Sequence, residues 1–504
     1  MSLAVIHTRA QLGIEAPAVS VEVHLSGGLP SMSIVGLPET AVKESRERVR
    51  SALITAGFDF PQRRITINLA PADLPKEGGR YDLAIAIGIL QASGQLKRWK
   101  GSDSTEMLGE LALSGALRPV RGVLPAAVAA GRCGRRLMVA SDNAAEAVMA
   151  EGTEVFAVSH LLEVVAHLTG KQRLEPALCM EVEGGAGASP DLADVKGQLQ
   201  ARRALEVAAA GGHNLLFSGP PGSGKSMLAA RLPGLLPPLE IEQQLEVASI
   251  CSVAGQDVRP ACRGVRSFRA PHHTASAIAL VGGGSHPRPG EISLAHQGVL
   301  FLDELPEFPR RVLEVLREPL ETGEILISRA ARQTRYPARF QLVAAMNPCP
   351  CGYHDDGTDR CNCSPDQVRR YQQKISGPLL DRIDLQLQVP ALPPDALLQP
   401  NQPAESSASV RQRVIRAHRR QLARQQCMNR ELSGGALEEH CALDETARAL
   451  LIRVMQHSQL SARACHRLLR VARTLADLAE EPCVGPSQLL EALAFRGLAG
   501  ADCG

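Results

Sequence analysis

The chain has 504 residues, a formal net charge of +2, 44% hydrophobic residues and only 3% aromatic ones. That length allows two to four domains with aliphatic cores, and the near-zero charge leaves attraction to a polyanion to local patches. No basic start followed by an apolar run opens the chain, and no stretch of about 18 apolar residues occurs, which predicts a soluble cytoplasmic protein with no membrane partner. The 13 cysteines argue against a disulfide framework in that compartment; nine are scattered singly and read as small apolar core residues.

In residues 1–170, β-like runs ("VSVEVHL", "SMSIVGL", "RITINLA") alternate with helical ones ("TAVKESRERVRSALITAG", "DLAIAIGILQASG"), predicting a self-contained α+β domain. Residues 171–191, with "EVEGGAGASPD", read as a linker. From 192 to 395 strands and helices alternate with turn signals between them, as in a parallel α/β sheet. The proline-rich "PALPPDALLQPNQPAESS" then leads into residues 396–504, which are helical by pattern throughout.

Chemistry concentrates in the α/β region. "NLLFSGPPGSGKSMLAARL" carries Gly219, Pro220, Pro221, Gly222, Ser223, Gly224, Lys225 and Ser226 in G-x-x-x-x-G-K-S spacing, between an apolar strand and a helix-like run. Backbone N–H groups freed by the glycines can close around phosphates, Lys225 can reach the terminal oxygens, and Ser226 can ligate Mg2+. This pattern predicts nucleoside triphosphate binding. "GVLFLDELPEF" ends an apolar strand in Asp303-Glu304, where Asp303 suits Mg2+ and Glu304 suits the deprotonation of an attacking water. "FQLVAAMNPCP" ends in Asn347, a polar group for phosphate or water, and "ISGPLLDRIDLQL" carries Arg382.

Three further stretches stand out. "RAPHHTASAIALVGGGSHPRPGEISLAHQG" places His272 and His273 in a glycine-rich segment, able to touch phosphate or base, or to be satisfied locally. "ISRAARQTRYPARF" carries Arg329, Arg332, Arg335 and Arg339 with no acid, suiting either phosphate contacts or a solvated basic face. "VRQRVIRAHRRQLARQQ", with six arginines, reads as a helix face with a role at a subunit boundary. Finally Cys349, Cys351, Cys361 and Cys363 fall within fifteen positions and offer tetrahedral zinc four soft ligands. Redox sensing and four inert thiols are the competing readings of that cluster.

The succession GPPGSGKS, LFLDE, AAMNP, SGPLLDRID and SARACHRLLRVARTLADL resembles the magnesium-chelatase-like branch of the AAA+ ATPases, and within it the ComM/YifB family. The resemblance covers nearly the whole chain, "VKGQ" included, and so adds Gly197 and Gln198 to the nucleotide site. It implies an AAA+ P-loop core and a C-terminal helical lid, with ATP and Mg2+ held through Lys225, Ser226 and Asp303. Asn347 becomes a sensor, Arg382 a finger reaching a neighbour's nucleotide, and Arg463 a second sensor with Arg467 as runner-up. A finger of that kind implies a homo-hexameric ring. The family further implies a DNA motor on single-stranded or branched substrates, a branch-migration helicase in the recombination of transforming DNA. The motor ATPase of a magnesium-chelatase complex is the alternative. The "PADLPKEGGRYDLAIAIGIL" and "GELALSGALRPVRGVLPAA" runs resemble the proteolytic domain of Lon. Where Lon has its serine this chain has Arg80-Tyr81-Asp82 after Pro75-Lys76-Glu77-Gly78-Gly79, and its lysine position falls near Leu124. A Ser–Lys mechanism needs both groups, so the domain is expected to be a scaffold.

Overall fold

The computed structural model describes residues 3–178, 189–284, 287–329, 332–357, 359–392, 404–457 and 460–496. Residues 179–188 of the expected linker and 393–403 of the proline-rich connection lie outside them. Two compact units emerge, Met1–Gly184 with Ile241–Arg263, and Gly185–Glu240 with Gly264–Gly504. Residues 241–263, numbered inside the expected α/β region, thus belong by their contacts to the first unit. Among the described residues no helix is long and apolar enough to cross a membrane.

The first unit is built on a seven-stranded mixed sheet in the order Ser31–Val35, Arg64–Ala70, Ala18–Ser26, Leu3–Arg9, Thr105–Leu108, Arg136–Ala140, Val155–Val158. Alternate residues of Ala18–Ser26 and Arg64–Ala70 are buried, as a half-covered antiparallel pair requires. The helix Asp82–Ala92 is apolar on nearly every side and buried along its length, because it runs through the middle of the unit rather than over its surface. Ile241–Ala254 docks on Val123–Arg132, and the Gly122 amide donates to the Ser252 carbonyl at 3.2 Å.

In the second unit five parallel strands run in the order Phe268–Arg269, Val299–Leu302, Gln341–Met346, Leu215–Ser218, Leu385–Gln388. Every residue of the three central strands is buried. Each buried Leu, Val or Phe there contributes about 1.5–3 kcal/mol. Register then places the chemistry. Ser218 pairs with Met346 and Leu302 with Ala344, so the residues that follow these strands emerge together at the carboxyl ends, where open α/β sheets bind ligands.

The C-terminal region is helical, as its pattern predicts. Ser407–Gln425 and Ala462–Ala479 lie against Leu199–Gly211, with Val410, Val414, Leu468, Val471 and Leu475 in a common apolar core. A buried polar chain crosses this packing. His213 bonds Asp384 (3.3 Å) and Thr474 (2.8 Å), and Asn429 joins Thr474 to Asp477. The arginine-rich helix is less free than its lack of acids suggests. Arg413 pairs with Glu206 and Glu405, and Arg420 and Arg424 reach Glu480 and Asp477. The expectation of buried single cysteines needs a correction: Cys441 and Cys465 are buried, but Cys133 and Cys483 are exposed, because Cys133 follows the end of Val123–Arg132 and Cys483 lies in the connection between Ala462–Ala479 and Pro486–Ala494.

Candidate nucleotide site

The loop after Leu215–Ser218 has the backbone a phosphate cradle needs. Gly222 and Gly224 adopt φ of 77° and 90°, open to glycine at little cost, and a side chain on Gly219 would collide with the Val389 carbonyl. The Ser223 hydroxyl is buried without a partner among the described residues. Lys225 is 8% exposed, and its amine donates to the Gly219 and Pro220 carbonyls at 2.8 and 2.9 Å and to Asn347 Oδ1 at 3.3 Å. Burial pulls its pKa below the usual lysine value, against the opposing charges of Asp303 and Glu304. A buried ammonium hydrogen-bonded only to neutral oxygens, beside a loop of glycine amides, fits an anionic phosphate chain. Gln198, in the left-handed region at φ 51°, donates to the Ser223 and Pro390 carbonyls, so the "VKGQ" segment with Gly197 lies along the loop.

Ser226 Oγ donates to Asp303 Oδ2 at 2.6 Å. A hydroxyl and a carboxylate so placed form the oxygen pair that Mg2+ takes from a protein while keeping its other positions for water and phosphate. Glu304 follows at φ 51°, an uncommon conformation for a non-glycine residue, with its side chain half-exposed. Its carboxylate lies 3.1 Å from His273 Nδ1. The sequence brings Lys225, Ser226, Asp303, Glu304 and Asn347 close to one another only through the sheet register.

The arginines are placed differently from one another. Arg382 is mostly buried, paired with Glu321 of its own chain and bonded to the Pro378 carbonyl. Arg467 is buried and holds Asp381 at 2.9 Å together with the Leu380 and Ile383 carbonyls, which leaves its guanidinium engaged with the segment that carries Arg382. Arg463, in the first turn of the same helix, is exposed, and among the described residues its guanidinium has no hydrogen-bond partner.

The four cysteines after Asn347 come together. Their sulfurs all lie within 4.8 Å of one another, with Cys349–Cys351, Cys349–Cys361 and Cys351–Cys361 at 3.2, 3.8 and 3.6 Å. Ligands at about 2.3 Å from a tetrahedral zinc would be about 3.8 Å apart, so the cluster fits that ion and not a pair of disulfides. Gly352 donates to Cys349, and the Tyr353 amide helps pull the Cys351 pKa down to about 6, while burial and the neighbouring cysteines push Cys361 and Cys363 up. The loop that carries the cluster also approaches the phosphate loop, since Gly352 lies against the Pro221 ring. Sequence spacing contained no sign of that contact.

The basic stretch forms a hairpin of Glu324–Arg329 and Arg332–Pro337. Ile325, Ile327, Thr334 and Tyr336 face inward, and Glu324, Leu326, Gln333 and Arg335 outward. Its inner face rests on the glycine-rich segment; Tyr336 donates to the Pro287 carbonyl at 2.8 Å, and Ile327 lies over Gly282. The two stretches singled out separately in the sequence are therefore one structural element. His272 bonds Thr274 and packs against His273 with the rings tilted by 34° and their centroids 4.1 Å apart.

Three family models match the chain. They are described as magnesium chelatase, subunit ChlI (residues 191–397), subunit ChlI of Mg-chelatase (21–143), and magnesium chelatase, subunit ChlI C-terminal (404–496). The YifB protein of Salmonella typhimurium is 51% identical over 498 residues, which is 99% of this chain and 98% of that protein. Competence protein ComM of Haemophilus influenzae is 49% identical over 502 residues, 99% and 98% of the two chains. The chain belongs to the ComM/YifB family of magnesium-chelatase-like AAA+ ATPases.

This ComM/YifB protein is also 29% identical to Lon protease 2 of Bacillus subtilis over 129 residues, a quarter of the chain. The geometry there is not that of a Ser–Lys pair. Leu124 is fully buried in a helix, and Arg80 occupies the place after the Lys76 turn, donating to Gln11 and to the Arg121 carbonyl. Lys76 itself is buried with its amine on the Pro71 carbonyl.

Proposed function

We propose that this protein is an ATP-driven DNA motor that assembles as a homo-hexameric ring in the cytoplasm and branch-migrates DNA during recombination of incoming strands. One observation carries the reading. An ATP-type site of Lys225, Ser226, Asp303, Glu304 and Asn347 shares its unit with a hairpin whose outer face carries the exposed Arg335, 4.0 Å from the Glu324 carboxylate. An exposed guanidinium suits a sequence-independent phosphate contact. The name of the ComM relative, a competence protein, supports the cellular setting.

In this reading Lys225 and the loop amides bind the triphosphate, with Gly197 and Gln198 alongside, and Ser226 and Asp303 hold Mg2+. The ion supplies charge neutralisation when bound. Glu304 accepts the proton of the attacking water, and Asn347 orients the terminal phosphate while holding the Lys225 amine. Arg382 acts on a neighbouring subunit's nucleotide once released from Glu321. Arg463 is the second sensor, because Arg467 is committed to Asp381. Cys349, Cys351, Cys361 and Cys363 hold a structural zinc; four protein ligands close the metal to catalysis. The first unit is a scaffold with the architecture of a protease and none of its nucleophile.

The family models, all described by a magnesium-chelatase subunit, favour a second reading as a metal-insertion motor. ATPase assays with and without single-stranded and forked DNA, together with unwinding of a three-stranded substrate, separate the two. Stimulation and unwinding are expected; ATPase activity indifferent to every DNA would remove the DNA motor.

A further inference from the structure

Arg382 follows a four-residue helix, Gly377–Leu380, which is too short to be stable by itself. Backbone bonds close the turn: the Arg382 amide donates to the Leu379 carbonyl at 2.9 Å, and the Ile383 amide to the Leu380 carbonyl at 3.1 Å. Two side chains from distant parts of the chain then hold it. Asn214, the residue before the strand that leads into the phosphate loop, donates to the Arg382 carbonyl at 2.8 Å. Arg467 donates to the Asp381 carboxylate at 2.9 Å and to the Leu380 and Ile383 carbonyls at 3.3 and 3.5 Å. The residues on both sides of Arg382 are thus gripped by one guanidinium.

The grip has a fixed base. Arg467 is buried, and its Nε donates to the Arg463 carbonyl, one turn earlier in Ala462–Ala479, at 3.4 Å. Ser461 caps that helix by accepting from the Ala464 amide at 3.2 Å, so the turn behind the guanidinium is itself set. A planar fork with five donors can engage a carboxylate, two carbonyls and its own helix together, and an ammonium cannot. The Arg382 side chain, by contrast, is held by the Pro378 carbonyl and by Glu321, which is mostly exposed. A finger needs this combination of a movable guanidinium on a stationary backbone, because a misplacement of about 1 Å can cost about a hundred-fold in rate.

We infer that Arg467 is the positioning residue for Arg382: it fixes the backbone of the finger from the C-terminal helix. Through the Arg463 carbonyl it also ties that backbone to the helix turn that carries the second sensor. A shift of that turn on a chain's own nucleotide is passed in this way to the finger that serves the neighbour's. The inference rests on the reading of Arg382 as a finger acting in trans.

ATPase assays on mixed chains form the test, because they separate the chain that supplies a finger from the chain that holds ATP. In a mixture of Lys225→Ala and Arg382→Ala chains, the first supplies the finger and the second binds the nucleotide. Arg467→Lys is added to one chain or to the other. On the finger-supplying chain it should lower the recovered turnover by about ten-fold more than on the ATP-holding chain. A merely structural defect would act equally from both places. Asp381→Asn keeps the side-chain shape, removes the charge that Arg467 holds, and should give the same asymmetry in smaller degree; it carries the test if a denaturant melt shows Arg467→Lys to be unfolded. Equal losses in the two placements, a larger loss on the ATP-holding chain, or no loss in either would overturn the inference. A mixture without Arg467→Lys that recovers nothing would instead remove the finger reading itself, a separate outcome.

Discussion

Gly352→Ala tests whether the cysteine cluster bears on the phosphate loop. Gly352 has φ +88°, and a Cβ there would lie 2.6 Å from Cδ and 2.8 Å from Cγ of Pro221. Two costs follow. A left-handed backbone costs an L-residue about 1–2 kcal/mol, and forcing a methyl into a filled place costs about 1–3 kcal/mol more. The Pro221 ring cannot rotate away as a long side chain would, so relief requires movement of the loop or of the cluster. Gly357→Ala is the matched control: its φ is +77°, and no atom lies within 4 Å of its Cβ position, so it carries the backbone cost alone. The difference between the two variants, about 1–3 kcal/mol, isolates the contact. If the loop yields, ATP affinity falls about 5- to 150-fold relative to Gly357→Ala. Titration with a fluorescent ATP analogue, with denaturant melts of both variants, reads this directly. Equal ATP affinity in the two variants would refute the reasoning and detach the cluster from the nucleotide site.

Lys225→Ala should lose ATP binding, whereas Glu304→Gln should bind ATP and turn over at least about 100-fold more slowly, by binding titration and phosphate release. Metal analysis should find about one zinc per chain, and Cys361→Ser/Cys363→Ser should lose it and bind ATP more weakly; full occupancy in the double variant would be contrary. Lys225→Ala and Arg382→Ala chains, each inactive alone, should recover ATPase activity when mixed, and no recovery would confine Arg382 to its own chain. His213→Ala should cost about 1–3 kcal/mol in a denaturant melt, because Asp384 is left buried without its main partner. Burial raises the Asp384 pKa, but the His213 hydrogen bond and charge, with Arg470 and Arg467, bring it below the usual aspartate value. A depressed carboxylate contributes stability above its unfolded pKa of about 3.9, so the gap between parent and variant should shrink as pH falls through the acid range.

The phosphate loop was legible from residue order alone because its chemistry is local. Glycines, lysine and serine act through consecutive backbone amides, and an apolar strand before them is visible as a short hydrophobic run. The same holds for the buried strands ending in Asp303 and Asn347, and for the cysteines, whose spacing brings them together without help from distant chain. The parallel sheet was legible as alternation of strands and helices. Where the ends of those strands meet was decided by register, Ser218 with Met346 and Leu302 with Ala344, which depends on pairing between residues 128 and 42 positions apart. The partners of the polar side chains were likewise set by tertiary contact. His273 finds Glu304, Arg382 finds Glu321, Arg467 finds Asp381, and Gly352 meets Pro221. Residues 241–263 read as part of the α/β region by number yet pack with the first unit, because a helix goes where its apolar face is covered. Sequence by itself determined which groups can hold a phosphate, a cation or a soft metal; the folded packing decided which of them are held, braced or restrained, because hydrogen bonds and van der Waals contacts act over a few ångströms of space whatever the distance along the chain.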